Sequence, residues 1–208
     1  MDPLFLQSLL SFLVTSVVVE LTPGPNMAYL ALLAANRGRL VGMVAVAGVA
    51  LGLASIGTLA ALGVSTLIES NRILWETLRW GGVAYLLYLA WDTWRESRLP
   101  PDAPELDRPL STFFRRGLIT NLLNPKAAIF YVAVVPNFTV EGSSLWPQLT
   151  LLTATYVAVA TAIHAGIVGI AGTATRIFEH PEWRRRAGLL FALLLVGVAI
   201  WLAIKTAR

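Results

Sequence analysis

Two of the few charges set inside apolar sequence, Glu20 and Lys126, each stand beside a proline that interrupts a hydrophobic stretch. The first break reads Thr22-Pro23-Gly24-Pro25-Asn26, the second Asn121-Leu122-Leu123-Asn124-Pro125-Lys126. A carboxylate at such a position costs roughly 2.5–3.5 kcal/mol on membrane-insertion scales, so it needs a partner, a proton or a water-filled cavity. Glu20 therefore suits a substrate amine or a proton. Pro25 removes a backbone donor and clashes with the preceding turn, and Gly24 permits unusual dihedrals between the prolines. The half-helix restarting near Asn26 offers free N–H groups and a positive dipole end to a carboxylate. At the second break, Asn121 and Asn124 bring amide groups to freed backbone or to a ligand. Lys126 has three roles open to it: holding a substrate carboxylate, pairing with Glu20, or moving with a gate. The substrate-binding candidates are thus Glu20, Thr22, Pro23, Gly24, Pro25, Asn26, Asn121, Asn124, Pro125 and Lys126. Glu20 and His164 are the candidates for proton coupling. His164 sits in a further apolar stretch among Thr161, Gly166 and Gly169; its near-neutral titration suits a relay, and a hydrogen-bonded packing role suits it equally.

The elements that must hold these groups follow from composition. The chain has 208 residues, 56% hydrophobic and 13% charged, where a soluble domain carries about 25% charged residues. Residues 40–68 and 142–175 contain no Asp, Glu, Lys or Arg, and roughly 20 apolar residues span a bilayer. Six apolar segments are predicted, near 3–35, 40–68, 73–94, 112–138, 145–175 and 187–205. The first is too long for one straight span and fits a helix broken at Pro23-Gly24-Pro25. The third is the weakest, with Glu76 and Arg79 positioned to pair on one helix face. The N-terminus lacks a basic region and reads as the first span, not a removed signal.

The expected fold is an all-α integral membrane protein with six transmembrane helices. Residues 1–94 form one three-helix repeat and residues 112–208 a second, joined by a proline- and charge-rich cytoplasmic linker at 95–111. Three spans per half would invert the second repeat, and paired breaks at equivalent points of inverted repeats mark the binding site of a secondary transporter. With six spans, Arg37, Arg39, Arg95, Arg98, Arg108, Arg115, Arg116, Arg176, Arg184, Arg185 and Arg186 share one side, against Arg72, Arg79, Lys205 and Arg208. That bias makes the first side cytoplasmic and puts both termini outside. Trp75, Trp91, Trp94, Trp146, Trp183 and Trp201 fall near predicted span ends, and Asp92 is expected at the interface beside them.

Other chemistries find little in the sequence. Cysteine is absent, which removes thiol metal sites and thiol redox chemistry. No Gly-x-Ser-x-Gly or His-Glu-x-x-His motif is present, and His180 lies in a loop beside Pro181 and Glu182, so no enzyme activity is expected. The net charge of +4 comes from short membrane-flanking loops, which suits lipid headgroups better than nucleic acid. Gly38/Gly42, Gly48/Gly52 and Gly57/Ala61 have the small-residue spacing of close helix packing, within one protomer or across a homodimer. No cofactor or resident metal is expected.

At these motifs the chain resembles the lysine exporter superfamily, on its homoserine/threonine-efflux branch. The residues that carry the resemblance are Glu20-Leu21-Thr22-Pro23-Gly24-Pro25-Asn26-Met27 and Gly117-Leu118-Ile119-Thr120-Asn121-Leu122-Leu123-Asn124-Pro125-Lys126, continuing to Phe130 and Val135-Pro136-Asn137-Phe138. Length, hydrophobic segments and motif spacing match over essentially the whole chain; Asn137 departs from the Gln common in the family. The resemblance implies efflux of small amino acids such as homoserine, threonine or leucine, driven by the proton motive force across a bacterial inner membrane. The partners implied are an amino acid, protons and the lipid bilayer. The alternative within the superfamily is efflux of metal ions or other cations, for which Glu20 and His164 are few ligands and Lys126 an opposing charge.

Overall fold

The computed structural model describes residues 3–22, 24–63, 71–99, 107–140, 144–173 and 181–205. Pro23, Arg176, His180 and Arg208 lie outside these ranges. The described residues form helices and no strands: α1 (Pro3–Leu21), α2 (Pro25–Arg37), α3 (Arg39–Ala61), α4 (Arg72–Ser97), α5 (Leu110–Leu122), α6 (Pro125–Ile129), α7 (Leu145–Ala171) and α8 (Pro181–Lys205). Both predicted breaks are present. α1 and α2 are separate helices, with Gly24 extended at the start of α2 and Pro25 in its first turn. α5 stops at Leu122, and the chain restarts at Pro125 in a direction bent by 50°. Beyond α6 it continues as a π-helical turn (Phe130–Val134) and a 3-10 turn (Val135–Phe138).

α1, α3, α7 and α8 are each long and apolar enough to cross a membrane, and α5 with the segment after its bend makes a fifth candidate. α4 has the length, 26 residues, but Glu76, Arg79 and Asp92 lower its hydropathy. Arg79 and Glu76 do pair, at 2.8 Å. α4 runs to Ser97, three residues into the segment assigned to the linker.

α3 packs chiefly on α5, α4 on α8, and α7 against α1, α2 and α3. Glycine sets the first of these contacts. A Cβ on Gly48 would lie 2.0 Å from the Phe114 carbonyl oxygen, and one on Gly117 would lie 2.1 Å from that of Ala45. The two backbones touch there because neither glycine carries a side chain. Gly42 packs on Val168 and Ala34, Gly52 on Asn121 and Gly57 on Tyr131, so the small-residue spacings serve contacts within one chain. α1 buries Phe5, Phe12, Ser16 and Glu20, while Leu6, Leu10, Leu13, Val14 and Val18 face outward, as lipid contact requires.

Asp92 is 3% exposed and held by Arg108 at 2.8 Å and Arg116 at 2.6 Å. Trp75 is likewise buried, while Trp91, Trp146, Trp183 and Trp201 are exposed at helix ends.

Candidate functional site

The two breaks meet. Lys126 Nζ donates to the carbonyl of Thr22 at 2.8 Å, and a Cβ on Gly24 would stand 3.4 Å from Lys126 Cδ. The lysine thus satisfies a carbonyl left over where α1 ends, the usual service of a basic side chain at a helix C-terminus. Asn124 caps α6, its side-chain oxygen accepting from the Lys126 backbone N–H at 3.1 Å. No side chain caps the start of α2.

Between these ends lies a polar chamber lined by Glu20, Gly24, Asn26, Met27, Leu53, Asn124, Lys126, Ala127, Tyr156 and His164. Narrow throughout, it has room for about one water molecule. Glu20 is 5% exposed, on the last turn of α1, where the helix dipole disfavours a negative charge. Its compensation comes from α7. Tyr156 donates its hydroxyl to one carboxylate oxygen at 2.5 Å, and His164 Nε2 stands 3.4 Å from the other. His164 is 1% exposed, and its Nδ1 has no partner among the described residues. Asn26 Oδ1 is also buried without one. The chamber therefore offers a carboxylate, an ammonium and an unengaged amide oxygen around one narrow space.

Of the predicted residues, Glu20, Gly24, Asn26, Asn124, Lys126 and His164 line the chamber together. Thr22 reaches it through its carbonyl, while its hydroxyl bonds back to Val18. Pro25 and Pro125 shape the two helix starts without lining the space. Asn121 is elsewhere: fully buried, it packs against Gly52 on α3. Direct pairing of Glu20 with Lys126 is not formed; each takes the partners named above. Among the described residues no third acidic or histidine side chain joins Glu20 and His164 in a metal-ligand cluster.

Tyr156 was missed. Its signal is a buried stripe on α7 at every fourth residue, Gln148, Leu152, Tyr156, Ala160, His164 and Val168. Two steps back along that stripe from His164 reach a second hydrogen-bonding side chain on the same helix face. The Tyr156 ring stacks on Phe130, centroids 3.8 Å apart, and meets Tyr131 edge-on at 5.4 Å.

A second polar cluster lies at the other end of α2. Arg37 bonds Glu96, Arg108 bridges Glu96 and Asp92, each at 2.8 Å, and Arg116 reaches Asp92. The cluster adjoins a small cavity of about 380 Å³ lined in part by Tyr29, Asn36, Thr93 and Phe113. Sequence reading assigned these arginines to solvated loops because their carboxylate partners come from a different helix.

Comparison with known proteins agrees with this architecture. Residues 17–206 match the family described as LysE type translocator. An uncharacterized membrane protein of Vibrio cholerae is 29% identical over 93% of this chain and 95% of its own. A homoserine/homoserine lactone efflux protein of Salmonella typhimurium is 27% identical over 93% of this chain and 94% of its own. A leucine efflux protein of Salmonella choleraesuis is 35% identical over 62% of this chain and 61% of its own. No solved structure matches. A membrane protein of broken and unbroken helices whose sequence fits the family model over nearly its whole length, this chain belongs to the LysE type translocators.

Proposed function

We propose that this chain exports small amino acids with an aliphatic or short polar side chain across a bacterial inner membrane, coupled to protons. The observation that carries the reading is the meeting of Glu20 and Lys126 in one narrow chamber at two helix breaks. A zwitterion presents an ammonium to Glu20 and a carboxylate to Lys126 and to the amino-terminal end of α2. The names of the relatives, homoserine/homoserine lactone efflux and leucine efflux, support an amino acid as cargo.

A chamber with room for about one water is too small for an amino acid, so the cycle must widen it. To bind, the substrate carboxylate displaces the Thr22 carbonyl from Lys126. That frees the end of α1 and links occupancy to the angle between α1 and α2. Glu20, His164 and Tyr156 form the proton-carrying group: a proton on Glu20 or His164 substitutes for the substrate ammonium on the return step. Toward the basic side of the membrane the chamber is closed by Tyr29 and by the Arg37–Glu96–Arg108–Asp92–Arg116 network. Six spans in two inverted halves, with α3 and α5 in contact across them, fit rocking of one half on the other.

The test uses proteoliposomes loaded with a panel of labelled amino acids under an imposed pH gradient. Expected is gradient-dependent flux of one or more small amino acids, collapsed by a protonophore. Absence of gradient-dependent flux across the panel rejects the proposal.

A further inference from the structure

The geometry points to a binding site for the phosphodiester headgroup of an anionic phospholipid, in the cleft between the carboxyl end of α4 and the amino-terminal part of α8. The cleft is lined by Trp94, Ser97, Arg98, Arg185, Arg186 and Leu189. It lies apart from the chamber and takes no part in it.

Three guanidinium groups share this cleft, and among the described residues none has a carboxylate within 4.0 Å. The arginines of the ion network are different, since Arg37, Arg108 and Arg116 are matched to Asp92 and Glu96. Like charges facing one space repel unless an anion lies between them. Arg98 is fixed in place, its guanidinium 4.2 Å from the Trp94 ring centre. The two helices touch beside it: a Cβ on Gly188 would lie 2.1 Å from that of Ser97.

The surroundings select a lipid over a soluble anion. An indole beside guanidinium groups at a span end is headgroup-level chemistry. Leu189, itself in the cleft, leads along α8 to Leu190, Leu193 and Leu194, all outward-facing, which gives the acyl chains an apolar path away from the phosphate. Arginine also fits phosphate oxygens bidentately.

The experiment compares the whole protein in nanodiscs of phosphatidylcholine, alone or mixed with phosphatidylglycerol, by thermal unfolding and by lipid retention in native mass spectrometry. Expected is a higher Tm with phosphatidylglycerol and its selective retention. The Arg98→Gln/Arg185→Gln variant should lose the Tm gain, with retention falling about 30-fold at two arginines' worth of attraction. The charge-matched Arg95→Gln/Arg115→Gln control, altered at exposed arginines outside the cleft, should keep both. Equal losses in the two variants would reduce the effect to general surface charge and overturn the site. Equal stabilisation by inorganic phosphate in phosphatidylcholine discs would replace the lipid by a free anion and overturn it too. Should the cleft variant not fold, wild-type retention decides, and no preference for phosphatidylglycerol sinks the proposal.

Discussion

Glu20 is held by a hydroxyl and an imidazole, and these contribute differently. A hydrogen bond to a charged group is worth about 1.5–3 kcal/mol, and Tyr156 supplies one at 2.5 Å. Tyr156→Phe keeps the ring stack on Phe130 and removes only that donor. We expect flux per folded molecule to fall by about tenfold or more, the lower end of that bond energy, with Tm in detergent little changed. Tyr156→Ala also removes the stack and should lower Tm; a Phe variant as fast as wild type would show the hydroxyl to be a bystander. Glu20→Gln and Lys126→Met act on the two charges and should each abolish proton-coupled flux while the protein still inserts. Lys126→Met has a structural consequence too, because the Thr22 carbonyl loses its donor. A drop in stability of about 1.5–3 kcal/mol for one lost hydrogen bond from a charged donor separates that cost from the loss of transport. Normal flux in both variants would make the charges structural. These residues were legible because charge and proline inside apolar sequence are rare and costly. Their partners were not: a tyrosine is ordinary in a membrane helix, and only packing shows that it faces Glu20.

At the level of the helix, what the sequence makes readable is interruption and smallness. Both breaks could be placed from proline alone, since Pro cannot continue a hydrogen-bonded turn. The division of α6 and its continuation into α, π and 3-10 turns could not, because those turns depend on how Phe130 and Tyr131 pack against Tyr156. The glycine spacings announced close packing without saying on what. Contact with α5 makes Gly48 the strictest of them, its would-be Cβ falling on a backbone oxygen that no rotamer change can move. Overpacking of this kind costs about 1–3 kcal/mol, so Gly48→Ala and Gly117→Ala should each lower Tm measurably. Gly197→Ala is the contrast, with nothing within 4 Å of the new methyl group. It should leave Tm unchanged or raise it, since Ala exceeds Gly in helix propensity by up to about 1 kcal/mol. Equal effects at the three positions would contradict the α3–α5 contact.

Across the whole molecule, the chamber and the ion network sit at opposite ends of one helix. α2 begins at Pro25 beside the chamber and ends at Arg37 in the network, roughly 18 Å along a single rigid element at 1.5 Å per residue. A change of angle at the break beside the Lys126–Thr22 contact would reach Arg37 along this one helix. The network joins α2, α4, α5 and the segment before α5, and Asp92 and Glu96 are both buried, so opening on that side requires several ion pairs to separate together. Removing one partner of a buried pair costs about 3–5 kcal/mol, which makes single neutral substitutions poor tests of gating because they unfold as well as open. A reversible tether is cleaner, and the absence of cysteine means that an introduced pair has no competitor. Arg37→Cys combined with Glu96→Cys, joined by a disulfide-containing reagent long enough to span the lost ion pair, should stop flux. Cleavage with reductant should restore it, and the untethered double variant supplies the baseline. If the chamber opens on this side during each cycle, flux falls in proportion to the fraction tethered. Undiminished flux at full tethering would show that Arg37 and Glu96 stay together throughout transport, and the inner gate would have to lie closer to Tyr29.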